Sequence, residues 1–214
     1  MGTEMKRALL FGSVPCGDGA FLRPYLDGGG WTVFCADGGV RNASAAGLRP
    51  DYLSGDGDSG GAPESDVPCI TLPVEKDMTD LQAAVDQALG LDYRELLLCG
   101  CTGGRLDHTA SNLVLLEWIA DHGGRALLVD ADNEVRLLDS GVLRLTNRPC
   151  YHYLSLVPLD RRVTGVTLRG LKYPLTDAVL TRGDTLSVSN EPLGDEVEIC
   201  LSAGRALLIR SQRV

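Results

Sequence analysis

Four short stretches of this chain carry residue types that can do chemistry. The sequence Asp56-Gly57-Asp58 places two carboxylates one residue apart. In an extended segment residues i and i+2 share a face, so both carboxylates can converge on one cation. Magnesium suits such a pair: it prefers oxygen ligands, and it usually takes one or two carboxylates plus water and phosphate. The same residues also suit a plain turn, because Asp and Gly are good turn formers. KDMTD, residues 76–80, is a second stretch, with Asp77 and Asp80 around Thr79. Thr79 and Asp80 fit a helix cap and first turn, and a helix N-terminus also attracts anions.

The third stretch is GCTGGRLDH, residues 100–108. Gly103 and Gly104 permit unusual torsions, so their N–H groups can form an anion nest. Arg105 follows with a fork that fits two phosphate oxygens. Asp107 can cap the following helix, bind a metal or exchange a proton, while His108 alone reads as structural. A tight strand-to-helix turn explains the glycines and Asp107 but not the arginine at the loop tip. ADGG, residues 36–39, adds Asp37 at a fourth loop. The pattern G-x-x-x-x-G-K-[ST] does not occur. No single stretch specifies a ligand. Their recurrence at successive strand ends points to a magnesium–polyphosphate site.

The elements that must position these residues fall into two patterns. In the first half, buried strands are expected at 7–14, 31–36, 52–56, 95–100 and 126–130, each followed by glycine or a turn signal. Between them, TDLQAAVDQALG carries Leu81, Ala84, Val85, Ala88 and Leu89 on one helical stripe. Thr79 with Gln82 forms a capping-box pattern, and Gly90 suits a C-cap. TASNLVLLEWIADHG reads as a second helix, with Leu113, Leu116 and Ala120 on one stripe widened by Leu115, Trp118 and Ile119. Strands alternating with helices imply a mostly parallel sheet with crossover helices. From about Asn133 the helical period disappears. Short alternating runs from EVRLLDS through DAVLTRGDTLSVSN to RALLIR, divided by turn residues, predict an antiparallel β-sandwich. The expected domains are therefore 1–132, α/β, and 133–214, β-sandwich.

Bulk properties narrow the partners. The 214 residues carry a net charge of −9, which argues against nucleic acid as a partner but not against a phosphorylated small molecule bound through a divalent cation. No apolar run approaches the roughly 20 residues needed to span a bilayer, so no membrane association is expected. The N-terminal segment lacks a signal-peptide pattern, and the seven scattered cysteines contain no C-x-x-C pair. They read as buried free thiols in a cytoplasmic protein.

Taken in order, ADGG, RPDYLSGDGDS, KDMTDL, GGRLDH, SLVPL, GVTLRGLKYPL and LSVSNE are recognisable, and they span nearly the whole chain. On these motifs the sequence resembles bacterial thiamine pyrophosphokinases. The resemblance implies an α/β catalytic domain, a β-sandwich that helps bind thiamine, and a homodimer with thiamine bound near the dimer contact. It implies transfer of the pyrophosphoryl group of ATP to the hydroxyl of thiamine, giving AMP and thiamine diphosphate. By motif, Asp56, Asp58 and Asp80 become magnesium-handling carboxylates and catalytic residues, together with Arg105 and Asp107. ATP binding falls to Asp37, Thr79, Gly103, Gly104 and Arg105, and thiamine binding to Ser189 and Asn190. Two positions depart from the family pattern: Gly57 replaces a phenylalanine, and Arg41 stands where an asparagine is usual, with Asn42 next. Gly57 raises a rival reading, a non-catalytic sensor of magnesium-nucleotide or thiamine. A weaker rival is an aspartate-dependent phosphohydrolase, which would release phosphate without thiamine.

Overall fold

The computed structural model describes residues 5–55, 69–71 and 77–213. The chain divides into two units, Met1–Ala131 and Asp132–Val214.

In the first unit the strands are β1 (Lys6–Phe11), β2 (Trp31–Ala36), β3 (Tyr52–Gly55), β4 (Cys69–Thr71), β5 (Tyr93–Cys99) and β6 (Arg125–Val129). The helices are α1 (Arg23–Leu26), α2 (Gly39–Ala45), α3 (Asp80–Gly90) and α4 (Leu106–Asp121). The strands pair in the order β4-β3-β2-β1-β5-β6, each pair parallel. β1 therefore lies in the middle. The chain steps outward from it to β4, then returns to place β5 on its other side. In an open parallel sheet, ligands bind at such a reversal, outside the carboxyl ends of the strands.

Both faces of this sheet are buried, which explains the near-continuous apolar runs LLF, VFCA and LLLC. Leu9, Phe11, Val33, Cys35, Leu97, Cys99 and Val129 form one face with Leu22 and Ala43. On the other face Leu96, Leu89 of α3 and Ile119 of α4 close around Gly124, each within 3.2 Å of where a Cβ on it would lie. Helix α3 follows its expected stripe, with Leu81, Ala84, Val85, Ala88 and Leu89 buried. Each large aliphatic side chain fully buried in this way contributes about 1.5–3 kcal/mol. Thr79 caps the helix, its Oγ1 accepting from Gln82 N at 3.3 Å. Gly90 is the last helical residue rather than a cap; the left-handed turn falls to Asp92, φ 67°.

Three expectations need correction here. The first strand ends at Phe11, not Val14, because Gly12–Pro15 turns off the sheet. Helix α4 starts at Leu106, three residues before the expected Thr109. Its buried face is Asn112, Leu115, Leu116 and Ile119, a clean i, i+3, i+4, i+7 set that includes a polar residue and leaves Leu113 and Ala120 half-buried.

The second unit contains β7 (Asn133–Leu138), β8 (Gly141–Thr146), β9 (Tyr153–Pro158), β10 (Arg162–Arg169), β11 (Leu175–Thr181), β12 (Glu196–Leu201) and β13 (Ala206–Ser211). One antiparallel set runs β7-β13-β9 and another β11-β10-β12-β8. Leu138, Leu154, Leu156 and Leu208 from the first set share one core with Val163, Val166, Leu180, Val197 and Ile199 from the second. This is a β-sandwich. DTLSVSN, expected as strand, is not one. Turns close at Asp184 and Val188, and Ser189 adopts φ 59°, outside the extended region. A buried ionic cluster also lies in this unit. Glu134 is 1% exposed and takes hydrogen bonds on Oε1 from Arg210 Nε at 3.0 Å and Arg136 Nη2 at 2.8 Å. Burial pushes its carboxyl up, but Arg136 and Arg210 more than offset this and hold it below the ordinary value.

Candidate functional site

A pocket of about 410 Å³ opens at the sheet reversal. One wall is Gly12, Ser13, Val14 and Pro15, directly after β1; the facing wall is Gly100, Gly103, Gly104 and Arg105, directly after β5. Ala36 and Asp37 enter from the end of β2, Thr79 and Asp80 from the start of α3, and His108 and Asn112 from α4. The pocket thus gathers three of the four stretches singled out in the sequence, 36–39, 76–80 and 100–108.

Local backbone chemistry explains each placement. Asp37 sits in the left-handed region at φ 49°, and its N–H donates to Ser54 O at 2.8 Å. A non-glycine residue held there carries strain of about 1–3 kcal/mol and marks a constrained position. Gly39 begins α2 so close to β1 that an added Cβ would lie 2.1 Å from Phe11 O. This is why Gly follows in ADGG. Gly103 and Gly104 both have positive φ, 94° and 63°. The nest expected from them is partly spoken for, because Gly103 N–H donates to Thr109 Oγ1 at 3.1 Å.

Arg105 occupies the N-cap position of α4 without capping it. Its Nε donates to Asp107 Oδ1 at 3.2 Å and its Nη2 to Oδ2 at 2.6 Å. These bonds use one edge of the guanidinium and leave Nη1 and the second Nη2 hydrogen directed elsewhere. Asp107 is therefore not the helix cap. It lies in the first turn, also accepts from His108 N at 2.9 Å, and does not line the pocket. Its hydrogen bond from Arg105 holds its carboxyl below the usual range. Among the described residues the pocket carries the carboxylates of Asp37 and Asp80 against the cation of Arg105. Asp56, Asp58 and the Gly57 between them lie outside the described residues, as does Lys76. No cluster of three or more metal-binding side chains occurs among those described.

Ser189 and Asn190 belong to the second unit. Asn190 is buried and its side chain is engaged within the loop: Oδ1 accepts from Tyr173 N and Glu191 N, both at 2.9 Å, and Nδ2 donates to Tyr173 O at 2.7 Å. Its backbone pairs with Leu154 in both directions. Ser189 is exposed, with its N–H donating to Ser155 Oγ at 2.9 Å. Asn190 staples the loop, and Ser189 is the residue the loop presents.

Sequence reasoning missed the Gly12–Pro15 wall, of which 12–14 read as strand, and the two buried asparagines, Asn42 and Asn112. The available signal was a polar residue in an otherwise apolar helical face. Cys16, Cys35, Cys99, Cys101, Cys150 and Cys200 are free thiols. Cys35, Cys99 and Cys101 are buried; burial pushes Cys35 and Cys101 up to about 12 and Cys99 well above its ordinary value. Cys150 is exposed, so the expectation of buried thiols does not hold for it.

An open parallel sheet with a polar, Gly-Arg-walled pocket at its reversal, followed in the chain by a separate β-sandwich, defines a two-unit protein whose α/β unit has its pocket where such sheets hold ligands. Residues 30–128 match the family described as thiamin pyrophosphokinase, catalytic domain, and residues 142–205 match thiamin pyrophosphokinase, vitamin B1 binding domain. A thiamin pyrophosphokinase crystal structure from Geobacillus thermodenitrificans is 33% identical, with TM-score 0.82 over 98% of each chain. The corresponding Bacillus subtilis structure superposes with TM-score 0.86 at 27% identity, covering 97% of this chain and 99% of that one. The curated Bacillus subtilis thiamine pyrophosphokinase sequence is 33% identical over 137 residues, 64% of either chain. That sequence match therefore spans somewhat less than two thirds of the relative's length. The chain belongs to the thiamin pyrophosphokinase family.

Proposed function

We propose that this chain is a thiamine pyrophosphokinase, moving the β,γ-pyrophosphoryl group of ATP to the hydroxyl of thiamine. The observation that carries the reading is the pocket at the β1/β5 reversal, where Asp37, Thr79, Asp80, Gly104 and Arg105 converge. The hydroxyl oxygen of thiamine attacks the β-phosphorus. The bond from that phosphorus to the α,β-bridging oxygen breaks, AMP leaves with the oxygen, and the hydroxyl proton passes to a carboxylate of the site. Such transfer depends on alignment and charge neutralisation. Arg105 holds phosphate oxygens through its free edge, and Asp107 fixes the orientation of that edge. Thr79 Oγ1 accepts from the backbone, so its hydroxyl hydrogen is left to donate.

The donor chemistry fits magnesium. Asp80 places a hard oxygen ligand in the pocket, and β3 ends at Gly55, immediately before Asp56. Asp56, Asp58 and Asp80 would hold the ion, which when bound neutralises polyphosphate charge and stabilises the leaving oxygen. Thiamine is bound through the sandwich unit, where Ser189 faces outward beside exposed Tyr173, Leu186 and Val188. These apolar side chains, with Leu193, also support a homodimer. No helix among the described residues is long and apolar enough to cross a membrane, and free thiols suit a reducing compartment, which favours the cytoplasm. The test is incubation with magnesium and ATP, with and without thiamine. AMP should form only with thiamine. Phosphate release that ignores thiamine would overturn the reading.

A further inference from the structure

Asn42 lies inside α2, 6% exposed, with no substrate-facing role assigned to it. A buried amide side chain is tolerated only when it is hydrogen-bonded. This one is bonded entirely to a single loop. Its Nδ2 donates to Gly12 O at 2.7 Å and to Val14 O at 2.8 Å, and its Oδ1 accepts from Cys16 N at 3.2 Å. Both amide hydrogens are therefore spent on carbonyls of the loop that forms one pocket wall. The facing wall reaches the same point. A Cβ on Gly100 would lie 2.6 Å from Asn42 Nδ2, 2.7 Å from Gly12 O and 2.8 Å from Val14 O. Gly100 also sits at φ 64°, so glycine is the residue that lets the two walls and α2 meet.

Carbonyl oxygens are the negative ends of peptide dipoles. Two of them turned into a pocket for polyphosphate would repel it; turned into the amide of Asn42 they do not. We propose that Asn42 is a positioning residue for the phosphate pocket, holding the Gly12 and Val14 carbonyls away from the nucleotide's phosphates. The proposal rests on the nucleotide reading above. It predicts a dependence on phosphate charge that a residue serving stability alone would not produce.

The experiment compares binding of adenosine, AMP and ATP, with magnesium, to the parent chain and to Asn42→Asp and Asn42→Ser. Asp keeps the shape but loses both donors and faces two carbonyls with a charge; Ser keeps one donor in a smaller side chain. ATP should weaken on the order of ten- to a hundredfold, AMP less and adenosine least, with the thiamine KM unchanged. A folded variant that binds ATP as the parent does, or that loses all three ligands equally, overturns the proposal. Alkylation of Cys16, which is half-buried, gives a second readout that needs no variant. In the parent chain magnesium-ATP should slow it and adenosine should not, because only the phosphates press on this wall. Cys16 modified at the same rate with and without bound ATP overturns the proposal even where both variants fail to fold. A parent chain that binds no ATP instead refutes the nucleotide reading, and this inference falls with it.

Discussion

Asn190→Ala removes a staple rather than a free hydrogen-bonding group, and its cost follows from three bonds. Tyr173 N and Glu191 N lose the oxygen that both donate to, and Tyr173 O loses its donor. A buried group left without its partner costs about 1–3 kcal/mol. Tyr173 and Glu191 are not fully buried, so water recovers part of that and the net loss is about 2–3 kcal/mol. For a chain of this size that lowers Tm by roughly 5–10 °C. The loop ending at Asn190 also carries Ser189 at φ 59°, a conformation that persists only while its surroundings enforce it. Releasing it should therefore raise the thiamine KM, by about tenfold, while the ATP KM stays put. Asn190→Asp, which keeps the accepting oxygen and loses only the donor, should fall between the two. Thermal unfolding and steady-state kinetics with each substrate varied measure all of this. An unchanged Tm would refute the staple. A lowered Tm with an unchanged thiamine KM would refute the placement of thiamine beside Ser189.

Arg105→Lys should lose much of the activity despite keeping its charge, because lysine lacks the two-edged fork. Asp107→Asn should lose less, and combined with Arg105→Ala it should add almost nothing in a double-mutant cycle, since Asp107 acts by orienting Arg105. Neither should move Tm, both side chains being exposed. Glu134→Gln leaves Arg210 buried without its counter-charge and should cost on the order of 3–5 kcal/mol in chemical denaturation. The folded carboxyl titrates below its ordinary value of 4.5, so its stabilisation is complete above that pH. It is lost as pH falls through the lower folded value, and the Gln variant should lack this segment of the acid-unfolding curve. Gly39→Ala drives a Cβ to 2.1 Å from Phe11 O and should destabilise by roughly 3 kcal/mol or more, read as a lower denaturant midpoint.

Elements whose residues act through periodicity were legible in the sequence. The stripe of α3 arises from burial on a fixed repeat, the Thr79 cap from a local side-chain hydrogen bond, and the unbroken runs LLF, VFCA and LLLC from burial on both faces, and all reappear where expected. The order β4-β3-β2-β1-β5-β6 was not legible, because strand order is set by long-range pairing that no local pattern encodes. The Gly12–Pro15 wall was hidden for the same reason. GSV continues an apolar run, and only the bonds from Gly12 N to Cys99 O and Val14 N to Gly100 O turn it into a pocket lip. Asn190 is a different case. Its type suited either a ligand contact or a turn, and the structure shows it committed to Tyr173 and Glu191, leaving the outward position to Ser189. The three-residue β4 carries too few side chains to declare a period at all.

The central claim is that the two terminal phosphoryl groups of ATP move together to thiamine. A single incubation with magnesium, thiamine and ATP labelled separately at the α- and γ-phosphorus, with products separated and identified by mass, tests it most directly. The account predicts the γ label in thiamine diphosphate, the α label in AMP, and the two products in equal amounts. A γ label recovered in thiamine monophosphate with ADP, or as free phosphate in the absence of thiamine, would contradict it.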